Sequence, residues 1–324
     1  MMLIFSAAIT SCKKTGITDQ QSANSYNSSN AVNATKVPLT DLGAGTYLGF
    51  TGGLYPNGAN KPSGTYATDL SAIASSITPL NINGIPDAAG GVGFIAIGAS
   101  TCGILFNALR DKAAANSSVN PKLLFATCTE GATSIEEMQD ANASYWNTVQ
   151  TKLTRNNVTA KQVQVIYIET DDSVYNADFP ARPYRVRDKY ETVIRLFKIK
   201  FPNIKLVYVN GRTTTFIDSS KKKIFNTEPC PYYNGWGCKF IIEDQINQVP
   251  SMAYKGANAV APLVTWGWYQ WCNANEPRKD GFVWTLNDTS DGLHANSKGA
   301  NILSNHFIDF LLNDTYAKIW FVKH

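Results

Sequence analysis

From residue 91 onward, short apolar runs alternate with longer segments in which apolar positions recur every three or four residues. Residues 92–97, 123–126, 163–168 and 204–209 are nearly continuous in Val, Ile, Leu, Phe and Tyr. That is the pattern of strands buried on both faces. A shorter run at 260–264 reads as a fifth strand. Segments 104–115, 134–153, 184–200 and 240–249 read as intervening helices, and 297–312 as a closing one. Ser134 and Glu137 have the spacing of a capping box, and Phe201-Pro202 stops the third helix. Strands alternating with helices predict an α/β fold: a three-layer, doubly wound, mostly parallel five-stranded sheet with right-handed crossovers. Ligands then bind beyond the carboxyl ends of the strands. Residues 42–64, Gly-rich with Tyr47, Phe50 and Tyr55 interleaved, read as an irregular segment laid over the core.

The N-terminus follows a different rule. A short apolar stretch ends in Ala8-Ile9-Thr10-Ser11-Cys12 and is followed by Lys13 and Lys14. This resembles the lipobox of a bacterial lipoprotein signal, although the usual basic start is missing. The resemblance implies lipidation of Cys12, attachment to a membrane and a place in the cell envelope. Residues 13–40 are largely Ser, Asn, Gln and Ala and read as a disordered tether, leaving residues 41–324 as one domain. A net charge of +4 with scattered Lys and Arg gives no nucleic-acid footprint, and Lys221-Lys222-Lys223 reads as a solvated loop tip. Five cysteines remain besides Cys12. Cys230 and Cys238 bracket a turn-rich segment and could staple it. Cys102 and Cys128 could pair or be inert thiols. None has metal-ligand spacing, so neither structural zinc nor a cofactor is expected. A monomer is expected.

Candidate chemistry gathers at predicted strand ends. The chain has three histidines, and His294 stands in the loop Asp291-Gly292-Leu293-His294, before a helix that Ser297 could cap. A carboxylate three residues ahead can accept the imidazole Nδ1 hydrogen and leave Nε2 as a base. The first strand ends at Gly98-Ala99-Ser100, directly before a helix. There Ser100 is either a cap or a nucleophile whose own N–H faces a developing oxyanion. The second strand leads to Glu130-Gly131-Ala132-Thr133, where Gly131 would admit a close backbone approach. Asp171 and Asp172 follow the third strand, either holding a cation or solvated. Arg212, beyond the fourth, could bind a substrate carboxylate or pair with a buried acid. Trp266, Trp268 and Trp271 form a dense aromatic stretch that either packs or stacks on sugar rings.

Taken together, these positions resemble the SGNH (GDSL-like) hydrolases. The order Ser100, Gly131, then Asp291-x-x-His294 matches that family's blocks over residues 91–310, with Ala99 where Asp is usual. Arg212 and the stretch Trp266-Gly267-Trp268-Tyr269-Gln270-Trp271 are similar to a branch of uncharacterised members. The resemblance implies a hydrolase domain over residues 41–324, with Ser100 as nucleophile, His294 as base and Asp291 as its orienting acid. The N–H groups of Ser100 and Gly131 would hold the oxyanion, and Arg212, Trp266, Trp268 and Trp271 would line the substrate. The third block departs: Glu169-Thr170-Asp171-Asp172 stands where the family places an Asn donor, leaving the Thr170 hydroxyl as stand-in. The expected activity is acyl-ester hydrolysis, with deacetylation of carbohydrate as the implied case. The alternatives are a glycan-binding lipoprotein that has lost activity, and a thioesterase or lipase.

Overall fold

The computed structural model describes residues 35–324 except residue 219 and residues 221–223. Cys12 and most of the expected tether lie outside the described residues, as does the Lys221–Lys223 run. Five strands form one parallel sheet: β1 (Val92–Gly98), β2 (Leu123–Thr129), β3 (Val163–Glu169), β4 (Leu206–Val209) and β5 (Leu263–Trp266). Their spatial order is β2-β1-β3-β4-β5. After β2 the chain therefore crosses back over β1, which places a topological switch between the carboxyl ends of β1 and β3.

The principal helices are α1 (Gly64–Ser75), α2 (Ser100–Ala114), α3 (Ser144–Arg155), α4 (Ala181–Lys200), α5 (Cys230–Ile246) and α6 (Ser297–Asn313). On one face of the sheet Phe94 meets Phe106 of α2, and Tyr167 meets Phe307 of α6. Helices α2 and α6 pack together there, while α4 and α5 pack as a second pair. The architecture is a three-layer α/β fold.

Four differences from the sequence reading have physical causes. Residues 230–237, expected to be a loop, are the first two turns of α5 and are fully buried. Cys230 and Cys238 thus lie along one helix, about 12 Å apart at 1.5 Å per residue, too far for a bridge. All five described cysteines are free and buried. The predicted helix 134–153 is two elements. The Ser134–Glu137 box is present but caps a single 3-10 turn, Ile135–Met138, before α3 begins. The fifth strand starts at Leu263 rather than residue 260, because Val260 and Ala261 are tied back to the Ala253 carbonyl. Ordered packing begins ahead of residue 41: Leu39 is in the core, and the Tyr232 hydroxyl donates to the Val37 carbonyl at 3.0 Å. Among the described residues no helix is long and apolar enough to cross a membrane.

Candidate active site

The turn from β1 into α2 is fixed by backbone geometry. Gly98 has φ +148°, and a Cβ there would sit 2.0 Å from the Glu169 carbonyl oxygen at the end of β3. Only glycine lets the two strand ends close at this point. The Tyr145 hydroxyl reinforces the turn, accepting the Gly98 N–H at 2.9 Å and donating to the Cys128 carbonyl at 2.9 Å. Ala99 caps α2 through its backbone and Ser100 is its first residue. The Ser100 N–H is thus among the helix's free N-terminal donors, and its side chain stands at the switch point.

The second half of the site comes from the other end of the chain. Gly292, at φ +84°, lets the chain double back. Its N–H is held by the Thr289 hydroxyl at 3.0 Å, and its carbonyl accepts the Phe216 N–H at 2.8 Å. The Ser290 N–H donates to the His294 carbonyl at 2.8 Å, closing the loop. Asn296, not Ser297, is the cap of α6: its side-chain oxygen accepts the Gly299 N–H at 3.0 Å. The same Asn296 amide donates to the carbonyls of Asn287 and Thr289, at 3.0 and 3.1 Å. One side chain therefore ties the loop base to the helix.

These two halves meet. Ser100 Oγ lies 2.8 Å from His294 Nε2, and His294 Nδ1 lies 2.7 Å from Asp291 Oδ2. Asp291 Oδ1 accepts the N–H groups of His294 (2.8 Å) and Leu293 (3.0 Å). Chiefly the His294 backbone N–H bond, helped by the imidazole, pulls the Asp291 carboxyl down to about 2. An ionised carboxylate only accepts, so the ring hydrogen sits on Nδ1 and Nε2 is left to accept from the Ser100 hydroxyl. The arrangement is that of a polarised hydroxyl beside an oriented base.

Gly131 lies just past the last register pair of β1 and β2, Gly98 with Thr129, and the Glu130 N–H donates to the Gly98 carbonyl at 3.0 Å. It is exposed, has nothing within 4 Å of where a Cβ would be, and borders a cleft of about 310 Å³ with Glu130, Thr133, Glu137, Ser144 and Tyr145.

Other expected site residues are placed differently. Thr170 is 1% exposed, and its hydroxyl donates to the Thr133 carbonyl at 3.5 Å, so it points into the fold rather than at an oxyanion. Asp171 and Asp172 are buried rather than solvated, and both are paired with basic side chains. Asp171 pairs with Arg182 at 2.8 Å and Arg212 at 3.8 Å, while Asp172 pairs with Arg185 and with Lys189 at 3.1 Å. Burial pushes the Asp171 carboxyl up, and the Arg182 and Arg212 cations oppose it. Arg212 is thereby a partner of a buried acid, anchored also to Asn226 at 2.9 Å, rather than a substrate clamp. The indoles are held by neighbours, and Trp266 and Trp268 also line a cleft at the β5 edge of the sheet. Trp266 donates to the Leu54 carbonyl at 2.7 Å, Trp271 to Glu228 at 3.0 Å, and Trp268 stacks on His306 with ring centroids 4.6 Å apart. Burial pushes the Cys102 thiol far up and Cys128 up to about 12, so neither offers a thiolate. Among the described residues no group of three or more His, Cys, Asp or Glu is placed to hold a metal ion.

Sequence reasoning missed Tyr145, Asn296 and the Phe216 N–H, all of which position the site through backbone contacts. An Asn immediately before a helical segment was the one available signal. Neither a model of a known protein family nor a curated protein matches this chain.

Proposed function

We propose that the protein is a serine ester hydrolase whose nucleophile is Ser100. The observation that carries this reading is the 2.8 Å contact between Ser100 Oγ and the bare Nε2 of a histidine oriented by Asp291, at the switch point of the sheet. The likeness of Gly98-Ala99-Ser100, Gly131 and Asp291-x-x-His294 to the SGNH blocks supports it.

In the proposed reaction Ser100 Oγ attacks the ester carbonyl carbon as its proton moves to His294 Nε2. The N–H groups of Ser100 and Gly131 receive the developing oxyanion. The tetrahedral species collapses, the alcohol leaves with the proton from His294, and an acyl group remains on Ser100. His294 then draws a proton from water as the water oxygen attacks the acyl carbon; the acyl C–Oγ bond breaks, His294 returns the proton to Ser100 Oγ, and the carboxylic acid leaves. With the Thr170 hydroxyl turned inward, two backbone donors hold the oxyanion. The loss of one donor typically costs about a hundredfold or more, so turnover is slow for an esterase.

The substrate reading, acetyl esters on carbohydrate, rests on the resemblance alone. So does the expectation of a lipoprotein anchored to the envelope through Cys12. Release of nitrophenol from p-nitrophenyl acetate tests the chemistry: Ser100→Ala abolishes it while far-UV circular dichroism stays unchanged. Undiminished turnover in that variant rejects the serine mechanism. Binding of an oligosaccharide by a wild-type protein that releases no acyl group favours the glycan-binding alternative.

A further inference from the structure

At the β5 edge of the sheet, a cleft of about 450 Å³ opens where the N-terminal segment, the end of β5 and the last turn of α6 converge. Ser100, Gly131, Asp291 and His294 are not among its lining residues. Phe310 lines it thirteen residues along α6 from Ser297, about 20 Å at 1.5 Å per residue, so the cleft and the reactive serine lie at opposite ends of that helix. Its volume falls within the about 300–1,000 Å³ of small-ligand pockets.

The lining is of two kinds. Leu54, Tyr55, Trp266, Trp268, Phe310 and Tyr316 supply apolar and aromatic wall. Asn60, Asn313 and Thr315 supply neutral polar groups at the rim. The Asn60 amide donates to the Thr40 carbonyl at 2.9 Å and the Asn313 amide to the Asp309 carbonyl at 2.8 Å, and each retains acceptor capacity. The charged side chains are largely engaged within the protein. Arg278 pairs with Asp280 at 2.5 Å and donates to the Tyr269 carbonyl, while Asp314 accepts the N–H groups of Tyr316 and Ala317. Lys61 adds a cationic donor at the rim.

The geometry points to a second, non-catalytic binding site for a neutral cyclic polyol, a saccharide ring or pair of rings. Such a ligand has one apolar face for the aromatic wall and equatorial hydroxyls for the amide rim. A fatty acyl chain would strip water from Asn313 and Thr315 without replacing their hydrogen bonds. An organic anion would meet Asp280 and Asp314. The site goes beyond ester hydrolysis and stands whether or not Ser100 turns over an ester.

The test is calorimetric titration of the chain with maltose, cellobiose and N,N′-diacetylchitobiose, and with octanoate as the acyl probe. Wild type, Ser100→Ala, Asn313→Ala and Tyr316→Ser are compared, Asn313 being exposed enough that its variant folds. At least one disaccharide binds. Asn313→Ala and Tyr316→Ser each weaken it by about three- to tenfold, one hydrogen bond or ring contact. Ser100→Ala leaves the affinity unchanged. Three results overturn the assignment: no disaccharide binding at about millimolar concentration, affinity that both cleft variants leave intact, or octanoate binding in place of sugar.

Discussion

Replacing Asp291 by Asn probes the orientation of the base more sharply than removing the side chain does. The Asp291 carboxylate has three donors around it: Nδ1–H of His294 on Oδ2, and the N–H groups of Leu293 and His294 on Oδ1. An Asn side chain can satisfy one side only. With its oxygen toward the two backbone donors, its NH2 faces Nδ1, which must then be bare. The ring hydrogen moves to Nε2, which can no longer accept from Ser100. With the amide flipped, Nδ1–H is accepted but NH2 confronts two N–H donors. Those two bonds to a charged acceptor are worth about 1.5–3 kcal/mol each when well shielded. The Asp291 side chain is 52% exposed, so about 1 kcal/mol each is the better figure. Regaining the productive tautomer therefore costs about 2–3 kcal/mol, and the lost negative charge beside the transient imidazolium adds to that. We expect kcat for p-nitrophenyl acetate to fall about 10²–10³-fold with KM little changed. This is less than the about 10⁴-fold seen when a buried triad acid is changed in this way. Asp291→Ala imposes no wrong tautomer, because water can accept from Nδ1, and its turnover falls less than that of Asp291→Asn. The reasoning fails if Asp291→Asn retains turnover within about threefold of wild type, or if the alanine variant is the slower of the two.

Four further outcomes follow from the same geometry. Because its folded carboxyl is depressed to about 2, Asp291 adds stability that is present above about pH 4 and lost as pH falls toward 2. Its exposure limits the effect to about 1 kcal/mol, read as a smaller acid-side loss of urea stability in Asp291→Ala. Glu191 is pushed the other way, up, by burial and by its hydrogen bond to Asp244. The native state there holds a proton that the unfolded chain has lost, so stability falls as pH rises from about 5 to 8, and Glu191→Gln flattens that slope in chemical denaturation. Arg212→Met removes one cation from buried Asp171 but leaves Arg182, costing about 2–3 kcal/mol of stability with KM unchanged. A raised KM at unchanged stability would instead put Arg212 on the substrate. Trp271→Phe loses the bond to Glu228 and leaves a void, lowering stability by about 1–3 kcal/mol without altering kcat in folded protein.

The sheet was legible because parallel strands buried on both faces must be largely apolar, as β1, β3 and β4 are, and the half-buried edge strand β2 still opens on the apolar run Leu123–Ala126. Helix α5 was not, because burial of every side of its first turns erases the polar face on which periodicity depends. Within the site, Ser100, Asp291 and His294 could be read from chemistry at strand ends and from local spacing. The inward turn of Thr170 and the pairing of Arg212 with Asp171 could not. They depend on which side of β3 and β4 faces the core, and on cations from α4, which no local pattern encodes. Asn296 escaped notice because a neighbouring serine is an equally good cap by residue type; only the backbone angles separate them.

The most direct measurement is covalent rather than kinetic. An alkyl fluorophosphonate reacts with a hydroxyl only where an adjacent base removes its proton. Intact-mass and peptide mapping after incubation should find one adduct per chain, on Ser100, formed rapidly in wild type and absent in Ser100→Ala and His294→Ala. An unlabelled wild-type chain, or equal labelling in His294→Ala, would mean that the 2.8 Å contact does not activate the serine.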